Sequence, residues 1–179
     1  MKIVNYINDK NIRKDVEPLF LSSFPESERP GPDIFFSSFK KESNVLYAFY
    51  DNDKFIGFTS LIIYKDIAYI FFLAVSPIYQ HQGYGSQILS TIKNTYKDKV
   101  ILLCYEEVDN KYDDYEKRKK RESFYKKNGF ISNNLTTEEF GVVFTVARYG
   151  YREVSFEEYK KIFIFGFGEF AKDYIKRVR

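Results

Sequence analysis

The sequence predicts an α/β fold: a mixed, mostly antiparallel, twisted sheet with a central parallel strand pair and flanking helices. Three observations carry this. The apolar runs Val45–Tyr50 and Phe55–Tyr64 are joined by Asp51-Asn-Asp-Lys54, a polar hairpin turn. The run Ile67–Val75, the striped segment 83–96 and the run Val100–Tyr105 form a strand–helix–strand unit, whose right-handed crossover makes its two strands parallel. Phe130–Leu135 and Phe140–Tyr149 read as a closing antiparallel pair.

The remaining elements follow in order. Residues 2–7 read as a short strand. Ile12, Val16, Leu19, Phe20 and Phe24 recur at helical spacing over Asn11–Ser23. Pro25, Pro30, Gly31 and Pro32 break the chain into a loop, and a second helix is expected over Asp33–Lys41. Lys65-Asp66 makes a tight turn into Ile67–Val75, whose continuous apolar character suits a strand covered on both faces. Ile88, Leu89, Ile92 and Tyr96 form one helical stripe. Tyr115–Asn128 reads as a charged helix ended by Gly129 at its C-cap. The tail from Ser155 is amphipathic and reads as helical. At 179 residues the chain is expected to be a single domain, with a core over 1–150 and a tail over 151–179.

Composition bounds the function. With 44% apolar and 30% charged residues the chain has the make-up of a soluble globular protein. Its 19 Phe and 16 Tyr, without Trp, are read first as core filler. A net charge of +3 is too balanced to argue for nucleic acid. The one cysteine, Cys104, excludes an intramolecular disulfide. No signal peptide is recognisable, and no run approaches the roughly 18 apolar residues that span a bilayer. A cytoplasmic location is expected.

The segment Val75-Ser-Pro-Ile-Tyr-Gln-His-Gln-Gly-Tyr-Gly-Ser-Gln-Ile-Leu89 is the most informative. It leaves an apolar strand, turns at a proline and opens a helix through two glycines. First-turn N–H groups have no partner within a helix, glycine lets an anion approach them, and the macrodipole adds positive potential. A phosphate cradle is the reading favoured over a plain turn.

With its neighbours, this segment resembles the GNAT superfamily of acyl-CoA-dependent N-acetyltransferases, well over Val45–Leu135 and in outline beyond. The cofactor motif Gln/Arg-x-x-Gly-x-Gly/Ala stands here as Gln80-His-Gln-Gly83-Tyr-Gly85, after Val75-Ser-Pro77. A later signature stands as Phe124-Tyr125-Lys-Lys-Asn-Gly129-Phe130. The resemblance implies acetyl-CoA as co-substrate, no metal, and transfer of its acetyl group to a primary amine. Gln80, His81, Gln82, Gly83, Tyr84, Gly85 and Ser86 would bind the cofactor, with backbone N–H groups from Gln82 to Ser86 holding the pyrophosphate. Leu73, Ala74 and Val75 would offer main-chain groups to the pantetheine arm, with the N–H near Leu73 stabilising the oxyanion. Tyr125 would protonate the leaving sulfur, and a carboxylate ending strand 100–105 would take the amine proton. Strand alternation lets only one of Glu106 and Glu107 face the cleft, and Glu106 is favoured. Glu26, Glu28 and Arg29, in the loop that borders the acceptor site in the family, would bind substrate. The chain departs from the pattern where Phe71 or Phe72 replaces a strand glutamate. It departs again where Arg118 replaces an asparagine, and that Arg could instead reach a phosphate.

Gly83-x-Gly85 lacks the third glycine of a dinucleotide fingerprint, having Ile88 there. Gly166-Phe-Gly-Glu-Phe-Ala171 fits Gly-x-Gly-x-x-Ala, but the sequence ends at Arg179, before a second strand could follow. Lys117-Arg-Lys-Lys-Arg121 is read as a solvated helix face, with nucleic acid or the adenosine 3′-phosphate as alternatives. Cys104, within an apolar strand, is read as an inert thiol. The expected partners are a small-molecule or peptide amine; neither nucleic acid nor a membrane is expected, and a homodimer is allowed. The alternative function is a non-catalytic acyl-CoA-binding sensor or interaction module.

Overall fold

In the computed structural model, which describes residues 1–179 with the side chain of Ser27 apart, the hairpin expected at Asp51–Lys54 and the closing antiparallel pair are both present, the latter turning at Phe140–Gly141 rather than between 135 and 140. Asn52 and Asp53, both left-handed (φ 46° and 64°), connect β2 (Asn44–Asp51) to β3 (Lys54–Tyr64). Phe140 and Gly141 (φ 49° and 85°) connect β6 (Ile131–Glu139) to β7 (Val142–Tyr149). The other strands are β1 (Lys2–Asn5), β4 (Ile67–Val75), β5 (Val100–Glu106) and β8 (Ile175–Arg177). The helices are α1 (Arg13–Ser23), α2 (Pro32–Ser38), α3 (Tyr84–Thr95), α4 (Tyr115–Lys127) and α5 (Phe156–Phe167). The eight-stranded sheet runs β1-β2-β3-β4-β5-β7-β6-β8 and is antiparallel except for the parallel pair β4–β5. No helix among the described residues is long and apolar enough to cross a membrane.

The chain divides into two compact units. The first comprises Met1–Ile63 and Ile70–Thr95. Here α1 and α2 lay an aromatic layer on the sheet, with Phe20 stacked on Phe35 at 4.1 Å and edge-on to Phe72 of β4 at 5.2 Å. Such pairs add about 0.5–1.5 kcal/mol each beyond area burial. This accounts for much of the phenylalanine excess. Ile88, Leu89 and Ile92 of α3 are buried as the stripe requires.

The second unit comprises Tyr64–Tyr69 and Tyr96–Arg179. The predicted helical tail is realised only as α5, which opens on a reciprocal Ser155/Glu158 capping box and ends at Gly168 (φ 104°). Beyond that glycine the chain makes a short 3-10 turn, and β8 then pairs with β6, matching Thr137 to Arg177.

A polar chain runs through this second core. Glu139, 5% exposed, accepts hydrogen bonds from the Thr137 hydroxyl (2.7 Å) and the Tyr159 hydroxyl (2.8 Å). Tyr159 has one proton and spends it there, so the Tyr69 hydroxyl, 2.9 Å away, donates to Tyr159. The Tyr69 oxygen is then left to accept from the Cys104 thiol at 3.1 Å. Burial pushes the Cys104 thiol up, which keeps it neutral. Burial also raises the Glu139 carboxyl, against the two hydroxyls that pull it down.

A carboxyl raised in the folded state keeps a proton that the unfolded chain releases. Its contribution is therefore complete below the ordinary glutamate range and is lost as pH rises through the raised value. Urea unfolding from about pH 4 to about pH 8 is expected to show a smaller loss of stability in Glu139→Gln than in the parent. Equal slopes would show that Glu139 holds no such proton.

Candidate active site

In the first unit, the site begins with how β4 ends. Ile67–Ile70 is buried on both faces, but from Phe71 onward Phe71, Leu73 and Val75 are only half-buried, while Phe72 and Ala74 stay buried. Two hydroxyls of β3 bond the backbone at this change: Thr59 Oγ1 donates to the Phe72 carbonyl (2.9 Å), and the Phe72 N–H donates to Ser60 Oγ (3.2 Å). Two positions further on, β3 comes so close that a Cβ on Gly57 would lie 2.2 Å from the Ala74 carbonyl oxygen. The Ser76 N–H then bonds the Ile56 carbonyl at 2.8 Å.

Past Ser76 the chain makes a 3-10 turn over Pro77–Tyr79 and reaches α3 through His81 (φ 62°) and Gly83 (φ 85°). A left-handed backbone favours glycine at 83, and nothing lies within 4 Å of where its Cβ would stand. The first rung of α3 runs from the Gln87 N–H to the Gly83 carbonyl (3.1 Å). The N–H groups of Tyr84, Gly85 and Ser86 therefore precede any acceptor within the helix. Open space, three donors and the positive end of a helix dipole suit a phosphate or pyrophosphate.

The side chains of this loop build it rather than reach outward. The Gln80 amide donates to the Val75 carbonyl (3.0 Å) and the Gln82 amide to the Ile78 carbonyl (2.9 Å). Tyr84 donates its hydroxyl to Asp51 in the β2–β3 turn (2.7 Å). His81 is exposed. Leu73–Val75 and Gln80–Ser86 are thus brought into one tied segment.

Of the expected substrate residues, Glu26 and Glu28 are exposed on a 3-10 turn over 26–28. Arg29 donates to the Phe24 carbonyl (2.9 Å) and lies 5.7 Å over the Phe20 ring, so part of its role is to hold the loop. Phe24 packs 4.6 Å from Phe72 and thereby seats this loop on β4.

The second unit holds the other three candidates. Tyr125 lies in the last turns of α4, where the Phe130 N–H returns to its carbonyl (3.1 Å) across Gly129 (φ 81°). Its ring stacks on Tyr105 of β5 (5.8 Å) and meets Phe130 edge-on (6.1 Å). Burial pushes its phenol up to about 12, with Arg121 opposing, so the hydroxyl keeps its proton at neutral pH. Glu106 is ion-paired with Arg121. Glu107 points the other way and is buried, paired with Lys111 (3.3 Å) and Arg179. Burial pushes the Glu107 carboxyl up, but these two cations outweigh it and hold it below the usual range. Arg118 bonds Asp114 (2.6 Å) and the Glu107 carbonyl (3.2 Å) and lies 3.9 Å over the Tyr112 ring. Its guanidinium fastens the β5–α4 connection. Among the described residues no group of three or more His, Cys, Asp or Glu could hold a metal ion.

A family model described as an acetyltransferase (GNAT) domain matches residues 42–132. No curated protein matches the sequence. Among solved structures, a protein from Bacteroides thetaiotaomicron assigned to the GNAT family superposes with a TM-score of 0.75 at 19% identity, covering 94% of this chain and 99% of its own. An aminoglycoside 6′-N-acetyltransferase complexed with coenzyme A gives 0.68 at 16% identity, over 83% of this chain and 96% of that one. A variant of spermidine N-acetyltransferase from Vibrio cholerae gives 0.63 at 12% identity, over 83% and 94%.

Gly57 belongs to no motif in the sequence, because its need for a bare Cα arises across two strands. Gly57→Ala forces a methyl onto the Ala74 carbonyl, and the expected cost is about 1–3 kcal/mol, read as a lower urea midpoint. An unchanged midpoint would mean that β4 can yield at Ala74.

Proposed function

The chain belongs to the GNAT family of acetyltransferases, and on that premise we propose that it moves an acetyl group from acetyl-CoA to a primary amine. The observation that carries this reading is the exit of β4 through Gly83 into α3, with nothing within 4 Å of where a Gly83 side chain would stand and three N–H groups ahead of the first helical rung. Tyr84, Gly85 and Ser86 bind the pyrophosphate through those groups. Backbone groups of Leu73, Ala74 and Val75 bind the pantetheine arm, and the Leu73 N–H stabilises the oxyanion as the amine attacks the thioester. The C–N bond forms, the C–S bond breaks, and the two electrons of the latter leave with sulfur. Tyr125, whose phenol burial keeps protonated at neutral pH, gives that proton to the thiolate. Glu106, ion-paired with Arg121, takes the proton the amine loses, directly or through water. The reaction is placed in the cytoplasm, and the acceptor is a small-molecule or peptide amine.

Thiol release in the presence of an amine panel tests the proposal. Tyr125→Phe is expected to lower kcat by roughly 100-fold, the scale of general acid catalysis, with acetyl-CoA affinity unchanged. Acetyl-CoA binding with no thiol release from any amine would instead make the chain a non-catalytic acyl-CoA-binding module.

A further inference from the structure

Helix α4 carries seven basic residues against two glutamates over thirteen positions and buries none of them. The whole chain has an excess of only three positive charges. Cations turned toward the body or along the flank of α4 are each met by a carboxylate: Arg118 by Asp114, Arg121 by Glu106 and Lys126 by Glu122. Lys117, Lys119, Lys120 and Lys127 are exposed, and among the described residues none of them meets a carboxylate. Glu116, on the same face, bridges none of them.

This pattern works against the helix that bears it. Lys117 sits in the first turn, where the dipole disfavours a cation, and Lys117 and Lys120 are like charges one turn apart. Lys117, Lys120 and Lys127 fall in one stripe about 15 Å long. The adjoining rings are already covered by cations, Tyr112 by Arg118 at 3.9 Å and Tyr115 by Lys119 at 5.6 Å, which leaves no bare platform for a stacked base. An extended polypeptide repeats its same-side residues about every 7 Å, so three acidic side chains span the stripe.

We propose that the outer face of α4 docks an acid-rich polypeptide. This surface lies beyond the acetyl-transfer site and does not depend on turnover. Charge complementarity selects the partner, and the internally paired Arg118 and Arg121 anchor the helix while the outer lysines are free to engage.

The test is fluorescence anisotropy of a labelled oligoglutamate peptide against the full chain, with an uncharged peptide and an oligothymidylate of equal length as comparisons. The peptide is expected to bind, to weaken as salt rises, and to bind roughly tenfold less tightly to K117Q/K120Q/K127Q, the loss of three exposed charge contacts. A variant at Arg118 and a thermal melt of the triple variant separate docking from folding: R118Q should lower the melting temperature, and the triple variant should not. Absence of peptide binding at low salt, equal binding by the triple variant, or tighter binding of the oligothymidylate would each overturn the proposal.

Discussion

Gly57 and the Ala74 carbonyl share a space that admits no side chain, and the cofactor end of the candidate site descends from that contact. With β3 pressed this close, β4 is held at Phe72 by two hydroxyls and at Val75 by the Gln80 amide, which ties the strand where the chain leaves the sheet. Gly83 then turns it into α3 at a φ that other residues adopt under strain. The donors at the start of α3 are consequences of backbone geometry. Gln80, His81 and Gln82 include no lysine or arginine; the two amide side chains shape the loop, and the field at the start of α3 comes from the helix.

Aromatic residues serve two different ends. In the first unit Phe20, Phe35 and Phe72 are packing elements, and their ring geometry locks α1 and α2 to β4. In the second unit the tyrosine hydroxyls matter as much as the rings. Tyr69 and Tyr159 relay hydrogen bonds from Cys104 to the buried Glu139, and this fixes α5 to the sheet with every member satisfied. Tyr125 combines both uses, since its ring is packed on Tyr105 and Phe130 while burial keeps its hydroxyl a donor.

Features set by local pattern were legible in the sequence. Strand runs, the Asn52-Asp53 turn, the α3 stripe, the opening at Gly83 and the stop at Gly129 all follow from periodicity or from a residue's own backbone preferences. Features set by contacts across elements were not. Thr136-Thr-Glu-Glu139 lies outside the strand expected over Phe130–Leu135, yet it extends β6, where Glu139 finds hydroxyl partners and β8 pairs with it from far along the sequence. Gly57 has no local signature, and the tie from Tyr84 to Asp51 joins residues 33 apart in sequence. Arg118 stands out by charge alone, and only its partners reveal a guanidinium engaged in holding the β5–α4 connection.

Isothermal titration of the chain and of Gly83→Asp with acetyl-CoA, with coenzyme A and NADH as comparisons, tests the central claim most directly. A carboxylate at 83 would stand in the open space before the α3 donors, on a backbone with φ 85°. The parent is expected to bind acetyl-CoA and coenzyme A but not NADH, and Gly83→Asp to bind neither coenzyme A species. A parent that binds no coenzyme A species, or a Gly83→Asp variant that binds as tightly as the parent, would contradict that claim.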